Sequence, residues 1–184
     1  MRNVLLVSAK IFFTFLFISS FLNAQTASNP LNSKLNPNIP REATGNGLYN
    51  QSGANSCVYC HGVGGVNGNV KIAANLQNPK SWKIYKILGG DAAFAKDKEG
   101  FRSKMKQATT HLILNGAIAH NSSFKQPWYD SSKAAPYNGQ MLGVNGGPSR
   151  AWLKKYKEKY GLLPEVAADS VYLYIKSLGK EDVL

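Results

Sequence analysis

The amino-acid sequence predicts an all-α fold, because apolar residues recur at helical spacing in several separate segments. The clearest segment is PEVAADSVYLYIKSLG, in which Pro164 occupies a favourable first helical position and Gly179 follows the last turn. One face of this segment is apolar and consists of Ala167, Val171, Tyr174, Ile175 and Leu178. We therefore predict a closing helix over residues 164–178.

Two more amphipathic helices are predicted before the closing one. In GFRSKMKQATTHLILNG, apolar residues stand at positions i, i+4, i+7 and i+11, and Gly116 ends the helix. These apolar residues are Phe101, Met105, Ala108 and Leu112. In RAWLKKYKEKYG, Trp152, Tyr156 and Tyr160 share one face.

A short first helix is predicted to begin at Pro40 and to end near Gly53, with Gly45, Leu48 and Tyr49 at helical spacing. The stretches 62–68 and 115–148 are rich in Gly, Asn, Ser and Pro, so they are predicted to be loops.

The first 24 residues have the pattern of a secretory signal peptide. Arg2 and Lys10 supply a positive region, Ile11–Leu22 is an apolar core, and Ala24 is a small residue before the cleavage point. Twelve helical residues span only about 18 Å, against about 30 Å of hydrocarbon, so we predict cleavage instead of a transmembrane anchor. Residues 25–40 then read as a flexible tether and residues 41–184 as one domain.

The formal net charge of the chain is +12, and only Arg2 and Lys10 leave with the signal peptide. An exported chain this basic rarely meets nucleic acid, so an acidic protein or an anionic surface is the expected partner.

The only two cysteines lie in the segment CVYCH, at Cys57 and Cys60, with His61 directly after them. Three chemistries use such residues: a redox dithiol, a zinc site and covalent attachment of haem. A redox dithiol is disfavoured because no strand-like stretch precedes Cys57 and no helix-period pattern directly follows Cys60. Zinc is disfavoured because the chain has no second cysteine pair to complete a tetrahedron.

Haem attachment uses all three residues at the spacing they have. Two thiols three positions apart bond to the two vinyl groups of the porphyrin, and the following histidine binds the iron. This attachment normally takes place outside the cytoplasmic membrane, which agrees with the predicted export. We therefore predict one haem c, held by Cys57 and Cys60 and ligated by His61.

With these residues in place, the chain resembles the class I c-type cytochromes over roughly residues 41–180. The similar segments are GNGLY before the haem motif, CVYCHG, HLILNG and VYLYIKSL. The resemblance implies three main helices around one haem, electron transfer as the function, and a histidine and a methionine as axial ligands. The stretch 78–104 looks like an insertion relative to this family.

The sixth position on the iron has four candidates: Met105, Met141, His111 and His120. Met105 belongs to an apolar helical stripe, where methionine is usually a core residue. His111 and His120 are more often hydrogen-bonded or solvated than ligating. Met141 lies in the glycine-rich loop YNGQMLGVNGG, where the family carries its distal methionine, so we predict His61 and Met141 as the axial pair.

Together these features predict a periplasmic or otherwise exported electron carrier that works between acidic redox proteins. It is not expected to be an enzyme or to have a small-molecule substrate, because no nucleophile with its base is evident. Two alternatives stay open. One is a permanent electron-transfer subunit that docks through residues 78–104 and the aromatic segment FKQPWYD, and the other is a haem gas sensor or small oxidase in which Met141 does not bind iron. Weaker predictions assign Trp128, Tyr129 and Arg150 to the haem propionates, and Lys154–Lys159 to docking.

Overall fold

The computed structural model describes residues 41–51, 56–137, 141–144, 158 and 162–184. Its α-helices are α1 (Arg41–Tyr49), α2 (Cys57–His61), α3 (Lys83–Ile87), α4 (Gly90–Lys96), α5 (Lys98–Ser123) and α6 (Pro164–Leu178). Short 3₁₀ helices span Val63–Gly65, Pro79–Ser81 and Ser131–Lys133. Within these ranges the chain forms no β-strand, only an isolated antiparallel bridge between Gly116 and Leu142, so the all-α prediction is confirmed.

Several predictions fall outside the described residues. These are the signal peptide 1–24, the tether 25–40 and nearly all of the helix predicted over 152–160, of which Glu158 alone is described and is helical. None of the helices in the described ranges has the length and apolar character needed to cross a membrane.

Helices α1 and α6 pack closely where Gly45 meets the backbone of α6. A Cβ atom on Gly45 would lie 1.9 Å from the carbonyl oxygen of Ser170, so only glycine permits this approach. Helix α6 spans Pro164–Leu178 as predicted, and Ala167, Val171 and Ile175 of its apolar face are buried. Helix α1 ends at Tyr49, before the predicted end near Gly53, and Tyr49 packs against Tyr174 with ring centroids 5.0 Å apart.

Helix α5 begins at a side-chain cap, because Asp97 accepts a hydrogen bond from the amide of Gly100. Its predicted apolar stripe of Phe101, Met105, Ala108 and Leu112 is buried. The helix breaks at Gly116, where φ is 78° and ψ is 175°, and then resumes as far as Ser123. The prediction of a loop from residue 115 is therefore wrong for residues 117–123, because contacts with residues 141–144 stabilise the break and let the helix continue.

The segment 78–104 is built into the fold. It contains the 3₁₀ helix Pro79–Ser81, helices α3 and α4, and the first turns of α5. Its large apolar side chains Trp82, Ile84, Tyr85 and Ile87 are buried. Tyr85 and Phe94 both pack edge-on against Phe101, with ring centroids 5.1 and 5.5 Å away. These contacts attach the segment to the start of α5.

Candidate functional site

A cavity of about 670 Å³ lies between the helices and has mostly apolar walls. The four residues predicted to hold the haem, Cys57, Cys60, His61 and Met141, all line this cavity. Cavities of roughly 300–1,000 Å³ with apolar walls and a few polar groups are typical cofactor sites. The structure thus brings residues from distant parts of the chain to a single cavity.

Helix α2 places Cys57, Cys60 and His61 on one face of a single turn, because residues three and four positions apart are neighbours on a helix. Ser56 starts this turn, since its hydroxyl oxygen accepts a hydrogen bond from the amide of Tyr59. Gly62 ends it with a φ of 82°. The short motif therefore carries its own start and stop signals.

The imidazole of His61 is oriented by a backbone contact. Its Nδ1 atom lies 2.8 Å from the carbonyl oxygen of Ala74. Because a carbonyl oxygen only accepts hydrogen bonds, Nδ1 carries the proton and the lone pair is on Nε2. Burial lowers the pKa of His61, and the bond to Ala74 opposes that change. The ring is therefore in the neutral form that binds a metal through Nε2.

The two thiols differ from those of a redox dithiol. They form no disulfide, and both are half-buried at the cavity wall. Burial raises the pKa of Cys57 to about 11, with nearby Cys60 adding to the effect, and burial also raises the pKa of Cys60. Reactive dithiols instead have lowered pKa values, maintained by positive charge or a helix N-terminus.

A zinc site finds no support in the described ranges, since no three of their His, Cys, Asp and Glu side chains converge as metal ligands.

Met141 is held at the cavity by the break in α5. Its carbonyl oxygen accepts a hydrogen bond from the amide of Ala117 at 2.9 Å. Gly143 contacts the other side of the break, where an added Cβ would lie 2.3 Å from the carbonyl oxygen of Leu114. These close backbone contacts explain why position 143 is a glycine.

The other candidates for the sixth ligand do not line the cavity. Met105 is buried in the core side of α5. His120 is 1% exposed, with Nδ1 3.1 Å from Nδ1 of His111 and Nε2 3.0 Å from the hydroxyl of Tyr129. Of the four candidates, only Met141 is therefore placed to reach a cavity-bound group.

His120 belongs to an aromatic cluster that includes Trp128 and Tyr129, the two described residues that were predicted to contact the haem propionates. Its ring stacks on Phe124 with centroids 4.8 Å apart, and Trp128 and Tyr129 pack edge-on against Phe124. Neither Trp128 nor Tyr129 lines the cavity, so the structure does not bring them to a cavity-bound ligand. Arg150 and Lys154–Lys157 lie outside the described residues, as does Lys159.

Among the lining residues that the sequence did not single out are Trp82, Lys83 and Thr109. Thr109 had a usable signal, because it precedes Leu112 of the predicted apolar stripe by three residues, and Leu112 lines the cavity. Trp82 and Lys83 had none, because their position depends on how the segment 78–104 packs. The indole N–H of Trp82 donates to the carbonyl oxygen of Asn75 at 2.8 Å.

The residues that line the cavity fit a covalently held haem. The walls are mostly apolar, two thiols and an imidazole with an available Nε2 share one turn, and a thioether lies on the same cavity. In addition, the buried hydroxyl of Thr109 has no hydrogen-bond partner among the described residues. Buried hydroxyls are normally paired, so a cavity-bound group that accepts or donates a hydrogen bond would satisfy it.

Comparison with known proteins finds no family model, no curated protein and no solved structure that matches this chain. The CVYCH motif and the cavity that it lines are therefore the evidence for function.

Proposed function

We propose that the protein is a class I c-type cytochrome that carries single electrons between protein partners outside the cytoplasmic membrane. The observation that carries this proposal is the cavity: Cys57, Cys60 and His61 share one helical turn that lines it, and Met141 lines the same cavity. In this proposal α1, α5 and α6 are the three main helices around one haem c.

The residues have separate roles. Cys57 and Cys60 would hold the haem through thioether bonds, and Nε2 of His61 and Sδ of Met141 would bind its iron. Bound haem supplies an iron centre that takes up and releases one electron. The carbonyl of Ala74 fixes the His61 ring, and the apolar walls exclude water, which favours a single stable coordination in both redox states.

We propose that the protein transfers electrons and has no small-molecule substrate. Two side chains of the protein would bind the iron, so the chain would act between a donor and an acceptor protein instead of transforming a small molecule. Without Arg2 and Lys10 the mature chain keeps a formal net charge of 12 − 2 = +10, which favours acidic partners.

Covalent attachment of haem to the chain is the property that tests this proposal. We expect the mature protein to carry the mass of one haem, and we expect the haem to stay with the chain in acidified acetone. A Cys57→Ser, Cys60→Ser double variant should release the haem under the same conditions, because no thioether can form. A mature wild-type protein without haem mass would contradict the proposal.

A permanent electron-transfer subunit is the second candidate, and exposed apolar residues beside the motif favour it. Val63 is 80% exposed and Ile72 is 67% exposed, and Ile72 also lines the cavity. Exposed apolar groups close to a redox site suit a lasting interface. Stable co-purification with a cofactor-bearing protein at high salt would support this candidate, and a monomeric carrier would contradict it.

A further inference from the structure

Lys83 is the one Lys, Arg, Asp or Glu among the described residues that line the cavity. The other polar groups on these walls, such as Ser56, Ser81 and Thr109, are uncharged. The Lys83 side chain is half-buried and its hydrogen bond to Pro136 is exposed, so its ammonium stays accessible to an anionic group of a ligand. The position of Lys83 therefore indicates that the ligand carries an anionic group.

The structure holds the Lys83 side chain at the cavity. Its ammonium donates to the carbonyl oxygen of Pro136 at 2.8 Å and lies 5.3 Å from the ring centroid of Tyr137. Pro136 and Tyr137 line the same cavity. An ammonium has three N–H donors, so the contact with Pro136 leaves donors for a further group.

Lys83 takes no part in the ion pairs of the described residues. Those pairs join Lys80 to Asp91, Arg102 to Asp182 and Lys106 to Asp169. The charge of Lys83 is thus not neutralised by a described carboxylate. A carboxylate on the cavity-bound ligand would supply the missing negative charge.

We propose that Lys83 binds a carboxylate of the ligand in the cavity, which is a haem propionate if the proposed function is correct. This inference rests on that function and adds a specific contact to it. It also assigns a function to the segment 78–104, which resembles an insertion relative to the family. This segment supplies Lys83, the positively charged residue of the site. Lys83 acts here as a positioning residue that also sets the charge beside the cofactor.

The experiment compares Lys83→Met, Lys83→Arg and Lys86→Met with the wild-type holoprotein. Lys86 is the matched control, because it has the same charge, lies on the same helix α3, is exposed and does not line the cavity. For each protein the covalent haem content is measured first. The midpoint potential is then measured from pH 5 to pH 8, and the propionate bending modes are recorded by resonance Raman spectroscopy.

We expect all four proteins to carry covalent haem, since Lys83 is not an attachment residue. Lys83→Met should lower the potential, because loss of a nearby positive charge favours the more positive, oxidised state. It should also make the potential vary with pH, because a carboxylate without its cation has a higher pKa and begins to titrate in this window. Lys83→Arg and Lys86→Met should behave like the wild type.

Equal potentials and unchanged propionate modes in Lys83→Met and Lys86→Met would overturn the role of Lys83 and leave the proposed function intact. A wild-type protein without covalent haem would instead overturn the proposed function, which separates the two failures.

Discussion

The amide of Ala117 donates a hydrogen bond to the carbonyl oxygen of Met141, 2.9 Å away, at the break in α5. In an unbroken helix this amide would bond to the carbonyl of Ile113, four residues earlier. Here the Ile113 carbonyl accepts from the amide of Val144 at 2.9 Å instead. The segment 141–144 therefore satisfies both backbone groups that the break exposes, and the same two bonds position Met141 at the cavity.

The first prediction concerns Gly116, whose φ of 78° and ψ of 175° make the break possible. In Gly116→Ala the new Cβ would lie 2.6 Å from the amide nitrogen of Gly143 and 2.8 Å from the carbonyl oxygen of Met141. We expect the free energy of unfolding in urea to fall by about 1–3 kcal/mol. We also expect the spectral signature of methionine ligation to weaken.

Gly90→Ala is the control for backbone strain alone. Gly90 also has a positive φ, of 63°, but an added Cβ would come no closer than 3.8 Å to its neighbours. This variant should lose some stability and keep the methionine-ligated spectrum. If both variants keep that spectrum, the break does not position Met141.

The second prediction tests the axial ligand directly. Met141→Ala should leave haem attachment intact, lower the potential and allow carbon monoxide to bind the reduced protein, because only the distal bond is lost. Leu142→Ala is the matched control, since Leu142 also lines the cavity but has no ligating atom. A wild-type spectrum in Met141→Ala, together with an altered spectrum in His120→Ala, would show that the assignment is wrong. Carbon monoxide binding to the wild-type protein would favour the gas sensor.

The third prediction concerns acid stability. Burial, with His111 adding to it, lowers the pKa of His120 from 6.5 to about 4. The unfolded chain therefore binds this proton between pH 6.5 and pH 4 while the folded protein does not, so stability is lost as the pH falls through that window. The loss amounts to at most about 3 kcal/mol.

Urea unfolding of the holoprotein at pH 7, 5.5 and 4 measures this loss. A His120→Phe variant keeps an aromatic ring against Phe124 but cannot titrate, so its stability should depend less on pH in this range. An equally steep dependence in both proteins would show that His120 does not cause it.

The fourth prediction concerns the partner. A basic carrier that docks briefly on acidic proteins should transfer electrons more slowly as ionic strength rises, because salt shortens the Debye length to about 10 Å at 0.1 M and below that at higher concentrations. Stopped-flow oxidation by the native partner across a salt series measures the second-order rate constant. A flat or rising rate would argue against electrostatic docking and favour the permanent subunit.

The sequence alone determined the features that depend on neighbouring residues. Cys57, Cys60 and His61 share one turn because their spacing is helical, and Ser56 and Gly62 bound that turn. Helix α6 begins at Pro164 and ends before Gly179 because proline suits a first turn and glycine a helix end. Such signals act over a few residues, so they can be read without knowing the fold.

The tertiary structure decided what depends on distant contacts. Gly116 is a stop signal in the sequence, but α5 resumes after it because residues 141–144 bond to the exposed backbone groups. His120 does not line the cavity, and both of its ring nitrogens are engaged, by His111 and by Tyr129. Lys83 reaches the cavity only because the segment 78–104 packs on α5. Packing between segments far apart in the chain produces no periodic pattern in the sequence of either segment. It can therefore be seen only in the folded protein.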